Sequence, residues 1–62
     1  MALTAARIDK GLSRRELANL IGVTPEHIRS LEYGRVKPSA PIMVKLCRVL
    51  ECTPEQLFAD LM

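Results

Sequence analysis

Sixty-two residues, 48% of them hydrophobic, provide for one compact domain near the lower size at which a single core can hold a fold. The formal net charge of +2 neither announces nor excludes nucleic acid, but so small a core leaves no room for an enclosed substrate cleft, which favours a binding surface over an enzyme. No apolar run approaches the roughly 20 residues that span a bilayer, and Met1-Ala2-Leu3-Thr4 lacks a charged stretch followed by an apolar one, so a cytoplasmic protein with Cys47 and Cys52 as reduced thiols is expected.

Gly11, Gly22, Gly34, Pro38 and Thr53-Pro54 divide the chain into about five segments, none of which alternates like a strand, and the fold class is therefore all-α. A first helix over about 2–10 offers Leu3, Ala6 and Ile8 to a core. Ser13-Arg14-Arg15-Glu16 has the capping-box pattern, in which the serine hydroxyl accepts from the third helical N–H and the glutamate accepts from the cap's own N–H. The second helix therefore starts there, with Leu17, Leu20 and Ile21 on its apolar face. Thr24-Pro25 pairs an N-cap hydroxyl with a residue whose fixed φ suits the first helical position, and Gly34 closes that third helix, about 25–33, over Ile28 and Leu31. Ser39 caps a fourth helix in which Pro41 fits the first turn. Met43, Leu46, Cys47 and Leu50 recur at i, i+3, i+4, i+7, and Ile42 and Val49 widen the stripe. Thr53-Pro54-Glu55-Gln56 repeats the capping device for a last helix from Pro54 to about Leu61.

The second and third helices are joined by Gly22-Val23 with Thr24 as cap, a connection too short for antiparallel packing, so the two must cross steeply as a helix-turn-helix. Ala18 is the small residue that allows the close crossing, and Leu17, Ile21, Val23, Ile28 and Leu31 fill the space beneath. The charge is unevenly spread. Residues 1–37 hold seven Lys/Arg against four acids, whereas residues 38–62 hold two against three.

Lys10-Gly11-Leu12-Ser13, Glu16-Leu17-Ala18, Ile21-Gly22-Val23-Thr24, Ile28, Leu31-Glu32, Gly34-Arg35, Pro38-Ser39, Leu46, Val49-Leu50 and Thr53 resemble the lambda-type phage repressor and Cro family over nearly the whole chain. The resemblance implies a compact five-helix domain over 1–62 that binds double-stranded DNA through its third helix. It further implies a sequence-specific transcriptional regulator, often a repressor, bound as a homodimer to a palindromic operator. Carried over by position, Thr24, Pro25, Glu26, Arg29 and Ser30 face the bases. Glu26 is able to accept from a cytosine amino group and Arg29 to grip guanine, although the two are also spaced i, i+3 and can pair with each other. Arg14, Arg15, His27, Tyr33, Arg35 and Lys37 fall at phosphate-contact positions, with Tyr33 also able simply to cover the end of its helix. Arg7 and Glu32 match a partly buried ion pair that joins the first and third helices. Glu51 departs from the family, which often ends the fourth helix with glycine.

Leu57, Phe58, Leu61 and Met62 give the last helix more apolar surface than docking needs, and are expected in part at a dimer interface. A lone histidine, His27, beside two cysteines on other segments provides no four-ligand zinc set. No nucleophile with an orienting base is indicated, so neither metal, cofactor, small-molecule substrate nor catalysis is expected. The competing reading is a protein-interaction module that keeps the same fold and turns its third helix towards a protein.

Overall fold

The computed structural model describes residues 2–58, which form five helices: α1 (Ala2–Asp9), α2 (Arg14–Ile21), α3 (Pro25–Glu32), α4 (Ala40–Leu50) and α5 (Pro54–Phe58). There is no strand among the described residues. The starts of four of these helices are written locally. The Ser13 hydroxyl accepts from Glu16 N–H at 3.0 Å while the Glu16 carboxylate accepts from Ser13 N–H at 2.9 Å, closing the capping box. Thr24 accepts from His27 N–H at 3.2 Å and Ser39 from Ile42 N–H at 3.4 Å. Thr53 and Gln56 form a second reciprocal pair, at 2.8 and 3.2 Å, at the head of α5. Each bond satisfies an amide that the first helical turn leaves without a partner.

The α2–α3 turn depends on Gly22, at φ 77° and ψ 35°, a left-handed conformation in which a side chain would clash with the backbone. Its N–H and that of Val23 both donate to the Ala18 carbonyl, at 2.8 and 3.0 Å, so α2 is sealed and α3 begins two residues later. Helices α2 and α3 pack against each other, α1 lies on α3 and α5, and α4 bridges α2 and α5. The core that they enclose is formed by Leu3, Leu17, Ala18, Ile21, Ile28, Leu31, Leu46, Leu50, Leu57 and Phe58, all with at most 2% of their surface exposed. Leu12, Val23, Ile42, Met43, Cys47, Val49 and Cys52 pack partly buried around it, and both thiols are free.

Three expectations are corrected. Ile8 and Leu20 are exposed, at 62% and 59%. On a helical wheel Ile8 falls well outside the sector held by Leu3 and Arg7, and Leu20 falls beyond the sector held by Leu17, Ala18 and Ile21. Tyr33 is the C-cap of α3 and not its last helical residue. Leu57 and Phe58 are wholly inside this chain's own core, because α5 plugs the gap between α1 and α4, and they present no surface for a second copy. Leu61 and Met62, the other half of that expectation, lie outside the described residues.

The end of α4 carries backbone strain. Glu51 occupies the left-handed cap at φ 55° and ψ 43°, the conformation glycine would take without penalty. Its N–H still donates to Cys47 O, as does that of Cys52 at 3.2 Å, and its carboxylate accepts from Lys10 Nζ at 2.8 Å on the surface. Glu51→Ala loses that ion pair and keeps the strain, whereas Glu51→Gly loses both. Thermal unfolding is therefore expected to place the glycine variant above the alanine variant by roughly 8 °C, as a left-handed penalty of about 1 kcal/mol converts in a domain of this size.

The capping box adds a pH dependence. The Ser13 backbone N–H, followed by the Ser13 side chain, holds the Glu16 carboxyl below its ordinary value of 4.5. A carboxyl depressed in the folded state contributes its full stabilisation above the unfolded value and loses it as pH falls through the lower folded one. Glu16→Gln should therefore flatten the acid limb of a melting-temperature profile below pH 4.5, leaving the limb above it parallel to the native curve.

Candidate nucleic-acid interface

The outer surface of the helix-turn-helix is built on a carboxylate beneath it. Glu32, on the last turn of α3, is buried to 2% exposure, and both its oxygens are engaged. Arg7 Nε of α1 donates to Oε2 at 2.7 Å, and Arg14 Nε at the start of α2 donates to Oε1 at 2.7 Å. A further Arg7 nitrogen reaches the Leu12 carbonyl at 2.8 Å. No buried side-chain polar atom lacks a partner among the described residues. One carboxylate therefore ties three helices together. It also takes Arg14, expected as a phosphate contact, into a structural pair, while leaving 37% of that side chain exposed at the edge of the surface.

Above this pair, Glu26 and Arg29 on α3 and Tyr33 at its C-cap run i, i+3, i+7 along one exposed side, with Thr24 exposed ahead of them and Pro25, His27 and Ser30 half-buried beside them. Glu26 and Arg29 form no ion pair, which removes the i, i+3 alternative from this structure. Among the described residues Arg15, Arg29, Arg35 and Lys37 are exposed and have no carboxylate partner.

Tyr33 gathers three of the cations. The Arg29, Arg35 and Arg14 guanidinium carbons lie 5.3, 5.6 and 5.7 Å from its ring centroid, within range of cation–π attraction. They come from three different segments. Arg29 stands one turn below Tyr33 on α3, and Arg14 is delivered by Glu32. Arg35 is turned back by the loop, where its N–H donates to Ser30 O at 2.9 Å across the left-handed Gly34. A polar contact from Arg29 to the phenol, then the Arg29 and Arg14 charges, hold the Tyr33 hydroxyl below its ordinary value of 10.0. The sequence marks Arg29 and Tyr33 as neighbours by their i, i+4 spacing, but nothing in it brings Arg14 and Arg35 to the same ring.

The helix-turn-helix family model matches residues 3–57, which include both crossed helices. The chain belongs to the lambda repressor/Cro-type helix-turn-helix family, a family of DNA-binding regulators of transcription. The crystal structure of the clp gene regulator ClgR from Corynebacterium glutamicum superposes with a TM-score of 0.83 at 32% identity, covering 95% of this chain and 63% of that one. An uncharacterised helix-turn-helix-type transcriptional regulator of Archaeoglobus fulgidus is 38% identical over 52 residues, 84% of this chain and 74% of that protein. A candidate multi-protein-binding factor 1 of Yarrowia lipolytica is 37% identical over 49 residues, 79% of this chain. The matched part is 32% of that longer protein.

Removing the central carboxylate tests the architecture of this helix-turn-helix. Glu32→Ala leaves the Arg7 guanidinium, with 11% of its side chain exposed, buried without its partner. The expected loss is about 3 kcal/mol or more in urea unfolding, a large part of the roughly 3–9 kcal/mol that a domain of this size holds. Arg14→Ala, at the exposed end of the same network, should stay folded.

Proposed function

We propose that this chain is a sequence-specific double-stranded-DNA-binding regulator of transcription that acts in the cytoplasm and lays α3 in the major groove. One observation carries the reading: the outer face of the helix-turn-helix presents a line of polar side chains on α3, flanked by exposed cations that no carboxylate among the described residues neutralises. In this placement Thr24, Pro25, Glu26, Arg29 and Ser30 meet the base edges, and Glu26 accepts from a cytosine amino group. Arg15, His27 and Lys37, together with the Arg14, Tyr33 and Arg35 group, meet the backbone.

The finer reading is a homodimer on a palindromic operator, repressing by occupying the DNA that polymerase needs. Half-sites one helical turn apart are separated by ~34 Å. The described residues measure 26 Å along their longest axis, so two copies fit side by side on one face of the duplex at that spacing. The family's short crossed-helix geometry supports the groove placement, and a relative named as a transcriptional regulator supports the role.

A second reading, a protein-interaction module on the same fold, is favoured by the relative named for multi-protein binding. Selection from a randomised duplex library across a salt series separates the two. The regulator reading expects one palindrome to be enriched, two chains bound per duplex in sedimentation, and Glu26→Ala to relax one base position in each half-site. It expects Lys37→Ala to weaken all sites alike and lower the salt slope by about 1. Enrichment of asymmetric sites alone would remove the dimer, and no enrichment at any salt would favour the interaction module.

A further inference from the structure

Three like charges around one phenol do not assemble without cause. Guanidinium groups repel one another, and each long side chain gives up rotamer freedom to stay in place. In this fold the repulsion is offset from two sides. The electron-rich ring of Tyr33 attracts all three cations, and Glu32 holds Arg14 through its other contact. The Glu32 carboxylate is shared with Arg7, so the five groups Arg7, Arg14, Arg29, Arg35 and Glu32 carry a clear positive excess. Arg29 and Arg35 have no carboxylate of their own among the described residues. All three guanidinium carbons lie within 5.7 Å of one point, so no two are more than about 11 Å apart. A single DNA strand advances about 3.4 Å along the helix axis per phosphate, so the three groups are close enough to meet neighbouring phosphates of one strand.

We propose that Tyr33 is a positioning residue whose ring holds Arg14, Arg29 and Arg35 as one preformed clamp on the phosphate backbone, and that Arg29 works in this clamp and not in reading bases. The inference rests on the DNA-binding reading and revises one residue of it. A guanidinium that grips guanine must extend along the groove with both its terminal nitrogens free to face the base edge. The Arg29 guanidinium instead lies 5.3 Å from the Tyr33 ring, against which Arg14 and Arg35 also lie. Direct reading then falls to the N-terminal end of α3, at Thr24, Pro25 and Glu26. The two ends of the helix divide the work, the first turn specifying and the last turn holding. Because the ring orders the three side chains before DNA arrives, the backbone contact costs little further ordering on binding.

The test uses the whole chain and two independent readouts. Tyr33 is the sole tyrosine and there is no tryptophan, so phenolate absorbance reports this one ring. Without DNA, the native phenol should titrate below 10.0, with Arg29→Ala moving it back up most and Arg14→Ala moving it less. In duplex binding across a salt series, Arg29→Ala should lower the salt slope by about 1 and leave the selected sequence unchanged. Tyr33→Leu should weaken specific and random duplexes by the same factor, roughly tenfold, while Tyr33→Phe retains most of the affinity because it retains the ring face. Tyr33 is 52% exposed, so these variants should melt close to the native protein.

A base position relaxed by Arg29→Ala would overturn the assignment of Arg29, and a phenol that titrates at 10.0 in the native chain would overturn the clamp itself. If the native chain binds no duplex, the probe becomes inorganic tripolyphosphate. A native phenol titration that it shifts upward, with no shift in Arg29→Ala, would reject the DNA-binding reading and keep the clamp as an anion site. No shift in either would reject both.

Discussion

Both oxygens of a single buried carboxylate are committed to guanidinium groups from other helices, and the geometry of this domain follows from that constraint. Glu32 sits on the last turn of α3, beneath the surface that faces outward, and receives Arg7 from α1 and Arg14 from α2. Burying a carboxylate is tolerable only when it is paired and hydrogen-bonded, so the three helices can settle only in the arrangement that brings both arginines to it. The apolar core supplies the bulk of the driving force, and its packing alone already restricts how one helix sits on another. The ion pairs are directional and add a further constraint.

The same carboxylate links the interior to the surface. Arg14 is half a structural residue and half a surface one, and its position at Tyr33 is set by Glu32. Arg35 reaches the ring because Gly34 adopts a left-handed turn, and Arg29 because it lies one helical turn away on α3. A buried ion pair, a turn glycine and a helical repeat, each with its own local cause, thus converge on one exposed phenol. Rigidity there has functional value, since charges held in place before an anionic partner arrives spend less of their attraction on ordering. The strained Glu51 turn lies at the far end of α4, where the backbone tolerates a left-handed non-glycine residue because the α4–α5 corner and its hydrogen bonds hold it.

Much of this fold was legible along the chain because its punctuation is local. The caps at Ser13, Thr24, Ser39 and Thr53 and the turns at Gly22 and Gly34 each act over four or five residues, a range at which residue type alone dictates backbone geometry. The apolar periodicity of α4 and the short Gly22-Val23 connection were equally plain, and from them the all-helical class and the helix-turn-helix followed. The exposed line on α3 came from the same periodicity.

What only the tertiary structure decided is which surface each ambiguous residue joins. Leu20 and Ile8 have the chemistry of core residues but stand at the wrong angle once neighbouring helices are placed, and Leu57 and Phe58 look available until α5 closes against α1 and α4. Arg14 meets Glu32 across eighteen positions of sequence, and the meeting of three arginines at Tyr33 depends on the crossing of α2 and α3 and on the loop beyond. The physical reason is one of range: caps and turns are settled by neighbours in the chain, whereas burial and charge pairing are settled by distances that exist only after the helices have packed.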